Sequence, residues 1–128
     1  MSGKRLPLLL FIASMAIASP SRAEISAIAA AEIDGLLQQV QISDCVFIRN
    51  DSEHDAEDAA DHLRLKLKRG KKYVGNSEQF IDRLASKSSW TGKPYTVRCP
   101  GQEERAANEW LYELLDTVRN ASPSPEPQ

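Results

Sequence analysis

Residues 86–99 read SKSSWTGKPYTVRC. These fourteen residues hold a helix exit, a hydroxyl-rich turn, a short apolar strand and one of only two cysteines in the chain. Pro94-Tyr95-Thr96-Val97-Arg98-Cys99 reads as a strand, with its proline at the entry, where a missing N–H donor is tolerated. Upstream, Asn76 and Ser77 offer N-caps for a helix through Phe80, Ile81, Leu84 and Ala85 that ends near Lys87. Ser88 to Lys93 is then a polar loop. Downstream, Pro100-Gly101 turns the chain. Ala107, Trp110, Leu111, Leu114 and Val118 mark an amphipathic helix from about Glu103 to Arg119.

The role of Cys99 depends on the compartment, and the N-terminus bears on that. Lys4 and Arg5 precede an apolar run of thirteen residues, Leu6 to Ala18, followed by Ser21-Arg22-Ala23 with small residues where a signal peptidase reads. Such a run is shorter than the roughly 20 residues that span a bilayer, and no cysteine follows to accept a lipid. The expected organisation is a signal peptide over 1–23, one α+β domain over 24–120, and a disordered Pro/Ser-rich tail over 121–128. The protein is expected to be periplasmic or secreted after cleavage near Ala23, with no transmembrane segment after processing. An uncleaved N-terminal anchor is the alternative.

Sixteen Lys and Arg face eighteen Asp and Glu. Loss of Lys4, Arg5 and Arg22 leaves thirteen against eighteen, a mature net charge of −5. That balance and the expected compartment disfavour a nucleic-acid partner. Two cysteines in an exported domain read as one disulfide, Cys45–Cys99. Metal thiolates or a redox couple lack the C-x-x-C spacing and the further ligands they need. Closing a loop of more than fifty residues is worth on the order of 4 kcal/mol in the chain-entropy model, less any native strain.

Around Cys45, the run Cys45-Val46-Phe47-Ile48 reads as a second strand, stopped by a turn at Asn50-Asp51-Ser52. Cys45 opens its strand and Cys99 closes the other, so the bond requires an antiparallel pair with Phe47 opposite Val97 and Arg49 opposite Tyr95. Ile25 to Gln41 carries Ile25, Ile28, Ala29, Ile33, Leu36, Leu37 and Val40 at helical spacing, with Gly35 inside the run. Ser52 with Asp55 resembles a capping box for a helix from about Glu53 to Lys68, acidic at its start and basic at its end. Gly70 breaks it. The fold expected is four amphipathic helices packed on a two-stranded antiparallel ribbon, in the order α-β-α-α-β-α, with one disulfide.

The strings CVFIRN, HLRLK and FIDRLASKSSWTGKPYTVRC, with the later Trp110-Leu111, resemble a family of short exported proteobacterial proteins labelled domain of unknown function 5329. The resemblance spans roughly Leu36 to Leu115. It implies one exported domain with cysteines at these two positions, and it implies no activity. The family pattern has R-N-G-x-x-Y where this chain has Arg49 to His54. Asp51 and His54 thus replace the glycine and the tyrosine, and no role resting on that turn or ring carries over.

Three groups of residues carry possible chemistry. Ser86, Ser88, Ser89 and Thr91, flanked by Lys87 and Lys93, suit an anion site or a loop whose hydroxyls cap a helix end while Gly92 makes the turn. A phosphate-binding P-loop is excluded, because its first glycine is missing and Pro94 stands in the metal-binding hydroxyl position. His54, Asp58 and His62 are spaced for one helix face as weak metal candidates, or form a solvated acidic face. Arg64, Lys66, Lys68, Arg69, Lys71 and Lys72 form a basic end on an otherwise acidic protein, fit for an anionic envelope component or an acidic envelope protein, or simply a solvated helix terminus.

Trp90 in a polar loop marks an interaction anchor or a lid folded back on the core. The function expected is a non-enzymatic binding or accessory module contacting its partner through Ser88, Ser89, Trp90, Lys93 and Tyr95. The alternatives are a hydrolase with Ser88 or Ser89 as nucleophile and His62 as base, and a metal carrier using His54 and His62. No cofactor is expected.

Overall fold

The structure is a computed structural model that describes residues 25–122, together with residues 3–5, 7, 9 and 12–14. The expected cleavage site at Ser21 to Ala23 and the end of the expected tail, 123–128, lie outside the described residues.

Helix α1 covers Ala27–Ile42, starting where Ser26 Oγ accepts the Ala29 N–H at 3.1 Å. Ala29, Ile33, Leu36, Leu37 and Val40 face the core, while Ile28, expected in the same stripe, points outward and is 75 % exposed. Gly35 lies against helix α4 (Ala107–Ala121): a Cβ there would meet Val118 Cγ1 at 3.1 Å, so close helix packing offsets its low propensity.

Strand β1, Val46–Arg49, turns back at once into strand β2, Ser52–His54, with Arg49 opposite Ser52. The two-residue loop is Asn50-Asp51, both left-handed at φ 48° and 66°. That backbone twist matches paired strands and suits Asn and Asp better than most non-glycine residues. It corrects the expectation of a helix from Glu53 capped by Ser52. The cap is Asp55, whose Oδ1 accepts the Asp58 N–H at 2.8 Å, and helix α2 runs Ala56–Gly70.

A 3₁₀ turn, Lys71–Tyr73, leads to the short helix α3, Ser77–Phe80, capped by Asn76. This helix widens into a π turn, Ile81–Ala85, where Ser86 Oγ bonds the Ile81 carbonyl. Strand β3, Thr96–Arg98, follows, then β4, Arg105–Ala106, and α4. Helix α4 extends through Ala121, into the segment expected to be unstructured.

The sheet therefore has four antiparallel strands in the order β2-β1-β3-β4. The expected pairing of Phe47 with Val97 is its centre. The two-stranded ribbon was too small because β2 and β4 are flanking strands of three and two residues without an apolar alternation. Cys45 and Cys99 lie just beyond the last central pair, Val46 with Arg98, their Cα atoms 4.1 Å apart and their sulfurs bonded.

Helix α1 packs against α2 and α4, and Phe47 meets Trp110 edge to face at 5.4 Å between ring centroids. Phe80, Ile33, Leu36, Ile81, Leu111 and Leu115 fill the interior. Among the described residues, no helix is long and apolar enough to cross a membrane.

Candidate anion-binding cleft

The β1–β2 turn and the Ser88–Lys93 loop are clasped together. Ser88 Oγ accepts N–H groups from Trp90, Thr91 and the Asn50 amide, each at 3.3 Å. Thr91 Oγ1 donates to Asn50 Oδ1 at 2.8 Å, and Lys93 Nζ pairs with Asp51 at 2.5 Å. Backbone bonds from Gly92 to Ser88 and from Ser88 to Lys93 close the loop, with Gly92 at φ 72°. Of the hydroxyls expected to cap a helix end, that of Ser86 bonds the Ile81 carbonyl, whereas those of Ser88 and Thr91 brace the loop against Asn50. Trp90 stands out from this braced loop 97 % exposed, so it is not a lid on the core.

Between this clasp and α2 lies an open cleft of about 690 Å³. Helix α2 presents His62, Lys66 and Arg69 to it, at spacings of four and three that put them on one face. Strand β1 contributes Arg49. Asn50, Ser88, Ser89 and Tyr95 add polar groups, and Tyr73 and Trp90 add exposed aromatic surface. Among the described residues, no Asp or Glu lines it. None of the ion pairs among the described residues includes Arg49, Lys66 or Arg69.

At the cleft wall, Tyr95 is buried and anchored through its backbone: its N–H donates to the Ser86 carbonyl, and its own carbonyl accepts from Ala107. Lys66 Nζ donates to Tyr95 Oη at 3.1 Å and to the Lys87 carbonyl at 2.9 Å. His62 Nε2 lies 3.4 Å from the same Tyr95 oxygen. Burial, with Arg49 second, lowers the Lys66 ammonium to about 8. Burial first, then Arg49, Lys66, His54 and Arg69, pushes the His62 imidazole down to about 4. Burial also raises the Tyr95 phenol, against the opposing pull of Arg49. Burial is thus the larger influence on all three groups, and the Arg49 charge acts on each of them.

Of the residues expected at a contact surface, Ser88, Ser89, Trp90 and Tyr95 border this cleft. Two of them, Ser88 and Tyr95, are buried parts of its wall, and Lys93 is spent on Asp51 outside it. The basic end divides: Lys66 and Arg69 face the cleft, Arg64 bonds Asp61 and Gln41, and Lys72 lies over the Tyr73 ring.

Arg49, Asn50 and Tyr73 were missed as site residues. The signal for Arg49 was its expected position opposite Tyr95. The hydrolase pair is not formed, since no hydrogen bond joins His62 to Ser88 or Ser89 among the described residues. His54 is on β2, not on the helix of Asp58 and His62, because the hairpin ends before Asp55. No group of three His, Cys, Asp or Glu side chains among the described residues is placed to hold a metal ion.

Fold and cleft together define a disulfide-linked α+β protein with a basic, aromatic-edged recess. The chain belongs to a family of unknown function (DUF5329), whose model matches residues 27–119. It is similar to the uncharacterized protein YfeK of Salmonella typhimurium, 40 % identical over 85 residues, 66 % of this chain and 71 % of the relative. No solved structure matches.

Proposed function

We propose that the protein is an exported, non-enzymatic binding module whose cleft takes up an anionic group of a small ligand. The observation that carries this reading is the convergence of Arg49, Lys66 and Arg69 on one recess with no carboxylate among its described lining residues, in a chain of net charge −2. An arginine fork suits a carboxylate or phosphate, and Arg49, half-buried, is placed to make such a bond stronger than the exposed Arg69 would. The volume is that of a small-molecule site. Export is supported by the Cys45–Cys99 disulfide, a bond that persists in oxidising compartments.

Calorimetric titration of the purified protein with inorganic phosphate tests the reading. Saturable binding that Arg49→Ala weakens by about tenfold or more is expected. Equal affinity in the two proteins would place the anion elsewhere and remove the proposal.

A further inference from the structure

The cations explain one part of the cleft and leave Trp90 unexplained. An indole that is 97 % exposed gains nothing from folding, yet its loop is braced by the Ser88, Asn50 and Thr91 hydrogen bonds and by the Lys93–Asp51 pair. Bracing lowers the ordering cost of whatever the loop later contacts. Tyr73, 56 % exposed, borders the same recess. Asn50, Ser89 and Tyr95 line the same cleft and can exchange hydrogen bonds with hydroxyls. The Ser89 hydroxyl makes no side-chain bond among the described residues, whereas its neighbour Ser88 accepts three.

A ligand that uses all three surfaces has a charged group for Arg49 and Lys66, hydroxyls for the polar wall, and a ring face for the indole. We infer that the cleft binds an acidic sugar, a pyranose carrying a phosphate or carboxylate, with the ring laid on Trp90. This inference rests on the anion-binding reading and narrows its ligand. An aromatic ring alone would leave the polar wall unmatched, and a bare inorganic anion would leave the tryptophan unused.

Calorimetry with five probes separates the parts: inorganic phosphate, glucose, glucose 6-phosphate, glucuronate and phenyl phosphate. The expected result is that one of the two acidic sugars binds about tenfold more tightly than inorganic phosphate, and glucose hardly at all. Which acidic sugar wins assigns the anion as phosphate or carboxylate. Trp90→Ala, at a side chain outside the core, is expected to keep the fold by circular dichroism and phosphate affinity while erasing most of the sugar's advantage.

If phosphate binds and neither acidic sugar does better, the anion site stands and the sugar inference falls. Phenyl phosphate binding more tightly than both acidic sugars also overturns it, as does an acidic-sugar advantage that survives Trp90→Ala. If no probe binds, both readings fail.

Discussion

Lys66 Nζ donates a 3.1 Å hydrogen bond to Tyr95 Oη, joining α2 to the strand segment that carries Cys99. The ammonium also lies 4.9 Å from the centre of the Tyr95 ring. This contact holds a cation at the back of the cleft under conditions that disfavour its charge, since burial and Arg49 bring Lys66 to about 8. A bound anion relieves that conflict, so ligand and lysine charge stabilise each other.

Anion affinity is therefore expected to depend on pH through Lys66. Sulfate is the suitable probe, because its charge is constant across the range. Lys66 is charged below about 8, so affinity is full there and falls as pH rises above it. Isothermal titration from pH 6 to 9.5 checks this. Lys66→Met is expected to bind more weakly at pH 6 and to show no fall above 8.

His62 makes a second pH dependence, in stability. Its folded value of about 4 lies below the unfolded 6.5, owing to burial and to repulsion from Arg49, Lys66, His54 and Arg69. The unfolded chain thus takes up a proton first, and stability present above 6.5 declines as pH falls toward 4. Urea denaturation between pH 7 and 4 measures it. His62→Gln is expected to flatten the part of the decline between 6.5 and 4.

Asn50 is expected to matter twice, as a left-handed residue and as the clasp between turn and loop. Asn50→Ala loses both roles and should cost about 2 kcal/mol. Asn50→Gly keeps the backbone freedom and loses the bonds to Ser88 and Thr91, at about 1 kcal/mol. Thermal denaturation of the three proteins, with Trp90 fluorescence reporting on the loop, checks the order.

The disulfide closes a span of 54 residues and joins the two central strands at their ends. Its removal in Cys45→Ser with Cys99→Ser is expected to cost about 2–5 kcal/mol, measured by chemical denaturation. The unreduced wild-type protein should offer no thiol to alkylation.

The helical stripes and the Phe47–Val97 pairing were legible because burial writes itself into spacing: Ile33, Leu36, Leu37 and Val40 all reach the core. The β1–β2 hairpin was not, because Ser52 and Asp55 have the same capping chemistry and are three residues apart. The real cap is Asp55, and the evidence for the hairpin lay in Asn50-Asp51, a pair able to take left-handed backbone. Strand β4 is two residues, too short to leave a pattern.

The pieces of the cleft were visible separately as a loop tryptophan, a basic helix end and Arg49. Their convergence depends on how α2 lies across the strands, a tertiary fact that no local spacing encodes. Lys93 and Lys66 look alike in sequence, yet one is neutralised by Asp51 and the other faces the recess.

The central claim is where an anion binds, and amide and side-chain NMR shifts during a phosphate titration locate it directly. The account predicts saturating shifts at Arg49, Asn50, Lys66 and Ser89, the last three reached in Arg49→Ala only at about tenfold or more higher phosphate concentration. Shifts confined to other faces, or a pattern unchanged in Arg49→Ala, would contradict it.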